Sequence, residues 1–386
     1  MGSVCSDPAA GLCLAITAVL GGMAFGKLKK SPGQMWNRTI CLAGLWGITC
    51  LLGSSLCWGL VLFSLSCFFL YKYISSQELL PVQQKTILIT GTDSGIGHGL
   101  AKYLDELGFT VFATVLNENG SGAEELRRTC SSRLSVIQMD VTNSEQIREA
   151  RRKVEEKVQD RGLWALINNA GILGFPAEGE LVPITHFRQC MDVNFFGPVA
   201  VTKMFLPLLR KSKGRLVNIS SMAAKIRMKK VASYASSKAA LTMFSEVLRQ
   251  ELLKWGVKVS VIHPGGFKTN IAGTKETWDK LERSLLDDLS PDVLEDYGQE
   301  YILAQRNIIR IFDRAGEADY TPLLLDVHHA IAAKSPFALY TPGKSSFLWH
   351  CVISLVPTVV FDYLYKEVDF KTKPRSLSMP VWKKAT

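Results

Sequence analysis

One short stretch does most to restrict the folds open to this chain: Thr90-Gly91-Thr92-Asp93-Ser94-Gly95-Ile96-Gly97. It stands between an apolar run, Lys85-Thr86-Ile87-Leu88-Ile89-Thr90, and a helical pattern of Leu100, Ala101, Leu104 and Leu107. The apolar run reads as a buried strand. A strand that passes through a glycine turn into a helix opens a βαβ unit, and such a turn is suited to hold a dinucleotide. Gly91 permits the sharp bend. Gly95 lets a pyrophosphate approach backbone N–H groups at the helix N-terminus, and Gly97 lets the helix pack closely on the strand. The same residues also fit a purely structural turn that holds no ligand.

Five further apolar runs read as strands: Thr110–Leu116, Val136–Asp140, Leu163–Ile167, Leu216–Ser221 and Val257–Ile262. They alternate with amphipathic helical patterns. That alternation predicts an α/β fold, a doubly wound parallel sheet with helices on both faces. After the second strand, an acid would accept from a ribose 2′-hydroxyl, whereas a 2′-phosphate needs Arg or Lys. Glu118 stands there, no basic residue follows until Arg127, and Asp93 adds negative charge from the glycine turn. A carboxylate ~5 Å from one phosphate charge costs ~3 kcal/mol at an effective dielectric of ~20. The expected cofactor is therefore NAD, with a solvent-facing Glu118 as the alternative. Asp140, ending the third strand, is placed to meet the adenine. Asn168-Asn169-Ala170-Gly171 ends the fourth, where small and amide residues let the chain pass beside a cofactor. His263-Pro264-Gly265-Gly266-Phe267-Lys268-Thr269 follows the sixth.

Ser221 arrives at the carboxyl end of the fifth strand, where open α/β sheets bind ligands. Further on stand Tyr234 and Lys238, which a helix would put on one face. A free tyrosine ionises near pH ~10 and is a poor base at neutrality. A neighbouring ammonium and a positively charged nicotinamide favour the phenolate, and a fall of ~2–3 units would let Tyr234 take a proton from an alcohol. Ser221 would hold the substrate oxygen. Taken alone, the Tyr-x-x-x-Lys spacing also fits an exposed tyrosine beside a solvated lysine.

Over about residues 82–280 these landmarks, with Asn194 between them, resemble the short-chain dehydrogenase/reductase family in order and spacing. The resemblance implies a Rossmann-type fold, Tyr234 as general acid/base, Lys238 as ribose ligand and pKa modifier, and Ser221 as donor to the substrate oxygen. It implies that Asn194 supports a water-mediated proton relay, although a mid-helix amide bonded to a nearby carbonyl is the plainer reading. Gly91, Asp93, Ser94, Gly95, Ile96, Gly97, Glu118, Asp140, Asn168, Ala170, Gly171, Tyr234, Lys238, Pro264, Gly265 and Thr269 would contact the cofactor. Met191–Gly197, Tyr297–Tyr301 and Ser335–Gly343 are similar to the steroid- and retinol-oxidising members. That similarity implies NAD-dependent oxidation of a steroid 17β-hydroxyl, as in estradiol or testosterone. The rival readings are a retinol or 11β-hydroxysteroid dehydrogenase, and an NAD-binding membrane scaffold without turnover. A homodimer is the assembly expected of such an enzyme.

The chain has 386 residues, enough for one large α/β domain after an N-terminal block is set aside. Ala9–Gly26 and Ile40–Tyr71 carry no charge and are separated by Lys27-Leu28-Lys29-Lys30. The expected organisation is a membrane anchor of transmembrane helices over 1–80, a catalytic domain over 82–280, and a substrate-covering, membrane-associated extension over 281–386. Ile40–Tyr71 exceeds one perpendicular crossing of a ~30 Å hydrocarbon core. One tilted span and a hairpin broken near Gly53 both fit. With Lys27–Lys30 cytoplasmic, a hairpin returns the catalytic domain to the cytosol. The terminal Lys383-Lys384-Ala385-Thr386 matches an endoplasmic-reticulum retrieval signal read there.

Nine cysteines without pairing or metal-ligand spacing are expected to be reduced thiols, and no metal site is expected. The net charge of +10 comes without any nucleic-acid recognition motif and fits attraction to an anionic membrane face. Beyond Thr269, the residues Ile271, Trp278, Leu281, Leu285 and Leu286 suggest a helix that either covers the substrate or packs against the domain. Phe347–Pro357 is apolar but too short to span, which suits an interfacial segment that guides lipophilic substrates from the bilayer.

Overall fold

The computed structural model describes residues 78–365, apart from 270, 272, 274, 306, 307, 309–315 and 345, together with 15, 16, 19, 21, 63–65, 67, 68 and 374. The two N-terminal apolar runs, nearly all of their length, the Lys27–Lys30 cluster and the C-terminal lysines lie outside the described residues. Among the described residues no helix is long and apolar enough to cross a membrane.

Seven parallel strands form one sheet: β1 (Thr86–Ile89), β2 (Thr110–Val115), β3 (Leu134–Gln138), β4 (Ala165–Asn168), β5 (Arg215–Ile219), β6 (Lys258–Ile262) and β7 (Leu339–Tyr340). Their order is β3-β2-β1-β4-β5-β6-β7. The six strands expected from apolar runs are all present. β7 is an addition, formed where Val261 N–H donates to the Ala338 carbonyl and His263 N–H to that of Tyr340. Two residues carry too short a pattern to read as a strand.

The helices are α1 (Gly95–Glu106), α2 (Ser121–Thr129), α3 (Ser144–Val158), α4 (Ile184–Met191), α5 (Gly197–Ser212), α6 (Ala232–Glu251), α7 (Lys275–Asp288), α8 (Pro291–Tyr297), α9 (Gln299–Ala304), α10 (Thr321–Ala332), α11 (Ser346–Leu355) and α12 (Thr358–Tyr365). Right-handed crossovers place α1 and α2 on one face of the sheet and α3, α5 and α6 on the other. Both strand faces are therefore covered, which is why the central strands read as continuous apolar runs. Leu88, Phe112, Leu166 and Leu216 pack with Ile147 and Val154 of α3 and Phe205 and Leu208 of α5.

A second apolar cluster lies under the C-terminal helices. Phe175, Ala177, Leu181 and Val182 pack with Trp278 and Leu285 of α7 and Ile302 of α9. Phe175 and Trp278 have ring centroids 5.7 Å apart. The Tyr297 and Tyr301 hydroxyls donate to Glu180 and Glu178. Trp278, Leu281, Leu285 and Leu286 thus pack against the domain and do not line the cleft described below; of the five residues considered for a substrate cover, Ile271 alone does.

By compactness the chain divides into residues 1–81 with 328–337, and 82–327 with 338–386. In the first unit Leu79 bridges Ala333 in antiparallel fashion, and His329 stacks on Phe337 at 5.0 Å. The sheet and the cleft belong to the second.

Candidate active site

Strand order reverses between β1 and β4, and the carboxyl ends of strands beside such a point leave a crevice. A cleft of about 1350 Å³ opens there. Gly91, Asp93, Ser94, Gly95, Ile96 and Gly97 line it, as do Asp140, Ala170, Gly171, Ser221, Tyr234, Lys238, Pro264, Gly265 and Thr269. Residues spread over nearly two hundred positions meet because each ends a strand or begins the helix after one.

The glycine turn is shaped by contact with the β4 turn. Gly91 has φ +68° and its added Cβ would lie 2.7 Å from the Ala170 Cα; a Cβ on Gly97 would lie 2.1 Å from the Gly91 carbonyl oxygen. Asn169 closes the junction, its Nδ2 donating to the carbonyls of Thr90 (3.0 Å) and Gly91 (2.9 Å). A backbone brought this close at the start of a helix is a cradle for a pyrophosphate. These residues fit a dinucleotide.

Three expected site residues lie away from the cleft lining. Asn168 is buried and serves the frame, donating to Thr202 Oγ1 (2.9 Å) and Asn218 Oδ1 (2.8 Å). Its neighbour Asn169 lines the cleft instead, because successive strand residues face opposite sides. Glu118 is exposed; its N–H donates to Gln138 and its carbonyl accepts from Arg127. Asp93 is the carboxylate that reaches the end of β2, where its Oδ1 accepts the Leu116 N–H at 2.9 Å. Asn194 is fully buried.

Asn194 sits in a π-helical turn, Asp192–Phe196, that joins α4 to α5. Such turns recur at functional sites. Its Oδ1 accepts the Ile172 N–H (2.8 Å), and its Nδ2 donates to the Ile172 carbonyl (2.9 Å) and to Ser237 Oγ (3.0 Å). Ser237 in turn donates to the Tyr234 carbonyl (2.7 Å). The amide therefore ties the loop after β4, beside the cleft, to the helix that carries Tyr234 and Lys238. The simpler reading of an amide bonded to a nearby carbonyl describes part of what it does.

Helix α6 is held to the sheet by buried hydroxyls and amides. Asn218 Nδ2 donates to Ser245 Oγ (2.7 Å), and Ser220 Oγ donates to the Lys238 carbonyl (2.9 Å). Thr242 bonds both that carbonyl and His263 Nε2. Buried polar groups are costly unless paired, so this set admits one placement of the helix along β5 and β6.

At the centre, Ser221 Oγ accepts the Ala223 N–H at 3.1 Å, which leaves its proton free for the bonded Tyr234 hydroxyl. The Lys238 ammonium lies 5.9 Å from the Tyr234 ring centroid and donates to the Ile219 carbonyl at 3.0 Å. Burial pushes Lys238 down to about 8. Burial also raises the Tyr234 pKa, with the Ser221 hydrogen bond opposing. The lowered tyrosine expected from the sequence rests on a bound nicotinamide as well as on Lys238; the chain by itself gives the opposite direction. In the chain by itself desolvation of the phenolate outweighs the Ser221 hydrogen bond, and the same burial weakens the charge of Lys238. The phenolate form must draw on further positive charge brought into the cleft.

Sequence reasoning passed over Ser237, Ile226 and Met228, and met Trp349 only as part of the apolar segment Phe347–Pro357. Ser237 lies inside the Tyr-x-x-x-Lys segment and had a signal, being one turn from Ser233 on the buried side of α6. Ile226, Met228 and Trp349 line the cleft and carry no motif. Among the described residues no cluster of His, Cys, Asp and Glu suits a metal, and Cys67, Cys130, Cys190 and Cys351 form no disulfide.

Residues 85–280 match the family described as short chain dehydrogenase. The chain is 60% identical over 375 residues to human 17-beta-hydroxysteroid dehydrogenase type 2, covering 97% of each chain. It is 56% identical to rat estradiol 17-beta-dehydrogenase 2 over 96% of this chain and 98% of that one. A solved short-chain dehydrogenase from Streptomyces avermitilis shares the fold at 23% identity, with a TM-score of 0.57, over 74% of this chain and 99% of that one.

Proposed function

The chain belongs to the short-chain dehydrogenase family, and from that premise we propose that it oxidises the 17β-hydroxyl of steroids such as estradiol and testosterone with NAD. The observation that carries the chemistry is Tyr234 in the cleft, hydrogen-bonded by Ser221 and one helical turn from Lys238. The similarity to steroid 17-beta-dehydrogenases along almost the whole chain supports the substrate. Asp93 supports the choice of NAD, since it sets a carboxylate at the end of β2 beside Leu116, where a 2′-phosphate would be repelled.

When bound, the nicotinamide supplies the acceptor for the hydride leaving the carbinol carbon. The chain supplies the rest. Ser221 donates to the substrate oxygen and orients it. Tyr234 takes the hydroxyl proton as the C–H bond breaks, so that the alcohol becomes a ketone. Lys238 holds positive charge below the phenolic oxygen. Asn194 fixes the loop at Ile172 and, through Ser237, the register of α6.

The test is a set of assays with estradiol, testosterone, cortisol and retinol, each with NAD and NADP, on the native chain and Tyr234→Phe. Oxidation of the 17β-hydroxysteroids with NAD, lost by at least about a thousandfold in Tyr234→Phe while NAD binding persists, is expected. Preferred turnover of retinol or cortisol, or undiminished turnover by the phenylalanine variant, would refute the proposal. The same reading places the enzyme in the endoplasmic-reticulum membrane with the catalytic unit cytosolic, as a homodimer; complete protection of that unit from protease added to sealed microsomes would exclude the cytosolic side.

A further inference from the structure

Helices α11 and α12, joined at Pro357, present an apolar surface at the rim of the cleft. Leu348 (56% exposed), Val359 (79%), Val360 and Tyr363 (75%) face solvent, while Phe361 is buried beneath them. Trp349 does two things at once: it lines the cleft and stays half-exposed. Ten and eight residues make helices of ~15 Å and ~12 Å, too short to cross a ~30 Å hydrocarbon core.

A basic loop runs beside this surface. In Lys225-Ile226-Arg227-Met228-Lys229 the side chains alternate: Ile226 and Met228 line the cleft, and Lys225, Arg227 and Lys229 are exposed. Arg227 fastens the loop to α12, its Nη2 donating to Thr358 Oγ1 at 3.1 Å and its guanidinium lying 5.5 Å from the Phe361 ring centroid. Asp362 is the one acid in the two helices. Apolar side chains with a tryptophan and a tyrosine, edged by cations, are what a helix lying in an anionic lipid interface needs. A protein partner would satisfy the apolar part, but the lysines and arginine call for dense negative charge next to hydrocarbon.

We propose that α11, α12 and the Lys225–Lys229 loop dock the cleft mouth onto an anionic phospholipid bilayer, so that Ile226, Met228 and Trp349 form a passage from lipid to Tyr234. This adds a second, monotopic contact to whatever the N-terminal apolar runs contribute. It rests on the steroid reading only for what travels along the passage, and its test contains no substrate.

The full chain is placed, one copy per disc, in nanodiscs of phosphatidylcholine with or without phosphatidylserine, and amide hydrogen exchange is followed over 346–365. Exchange should be at least about fivefold slower with phosphatidylserine than in discs holding Val359→Glu/Tyr363→Glu. At 0.5 M salt, where the screening length is only a few ångströms, the advantage of phosphatidylserine over phosphatidylcholine should shrink. NAD binding confirms that the variant is folded. Equal exchange in native and variant discs overturns the proposal. So does protection that ignores lipid composition, which would mean that other residues of this chain cover the patch. Protection seen only in discs with two copies would assign the surface to a second chain, and overturns it too.

Discussion

Replacing Asn194 by Ala tests the frame that holds the site together. The native amide makes three hydrogen bonds, to both backbone groups of Ile172 and to Ser237, and is inaccessible to solvent. Each bond contributes about 1 kcal/mol net, and a buried group left unpaired costs about 1–3 kcal/mol. Ile172 is only half-buried and lines the cleft, so water can recover part of the loss there. The expected destabilisation is about 2–4 kcal/mol, measured as a lower urea midpoint of the detergent-solubilised chain. Turnover should fall further than stability requires, because α6 loses its tie to the loop at Ile172. Asn194→Asp refines the argument. A protonated carboxyl can still donate to the Ile172 carbonyl, whereas a buried carboxylate cannot. Burial raises the folded pKa of that new group above its unfolded value, so the folded state binds the extra proton and stability falls as pH rises. The aspartate variant should therefore approach native stability near pH 5 and lose it by pH 8, relative to the native chain. An alanine variant with native stability, or an aspartate variant indifferent to pH, would refute the clamp.

Two other expectations concern the cofactor and the base. Asp93→Asn keeps an acceptor for the Leu116 N–H but removes the charge; relief of about 1–3 kcal/mol of repulsion should narrow the NAD-over-NADP preference by about five- to 150-fold in kcat/KM, and an unchanged ratio would clear Asp93 of the role. Burial raises Tyr234, the bound cofactor's charge offsets part of that, and the group must lose its proton to act as base, so steroid oxidation should climb with pH from about 6.5 to 8. The climb should flatten above pH 8, where Lys238, pushed down to about 8, gives up its charge. A flat profile while a deuterated carbinol shows hydride transfer to be limiting would contradict the raised tyrosine.

Local chemistry was enough to announce the sheet. A strand buried on both faces must be apolar along its length, a turn that receives a phosphate must be glycine-rich, and residues four apart on a helix must share a face. Each of these leaves its mark on residues close together in the chain, so Thr90–Gly97, Ser221 and Tyr234–Lys238 were legible in the sequence. Where side chains go after the strand ends is another matter. Asn168 and Asn169 are adjacent amides of the same kind, and only the pleat of β4 against its neighbours sends the first into the frame and the second to the glycine turn. Glu118 and Asp93 are both acids by the end of β2, yet the path of the β2 turn turns one outward and brings the other in. Spacing put a lysine beside a tyrosine, but desolvation by the whole fold decided which way their proton equilibria move. Pattern is a property of neighbours along the chain; solvation and orientation are properties of everything packed around them, and those belong to the tertiary structure alone.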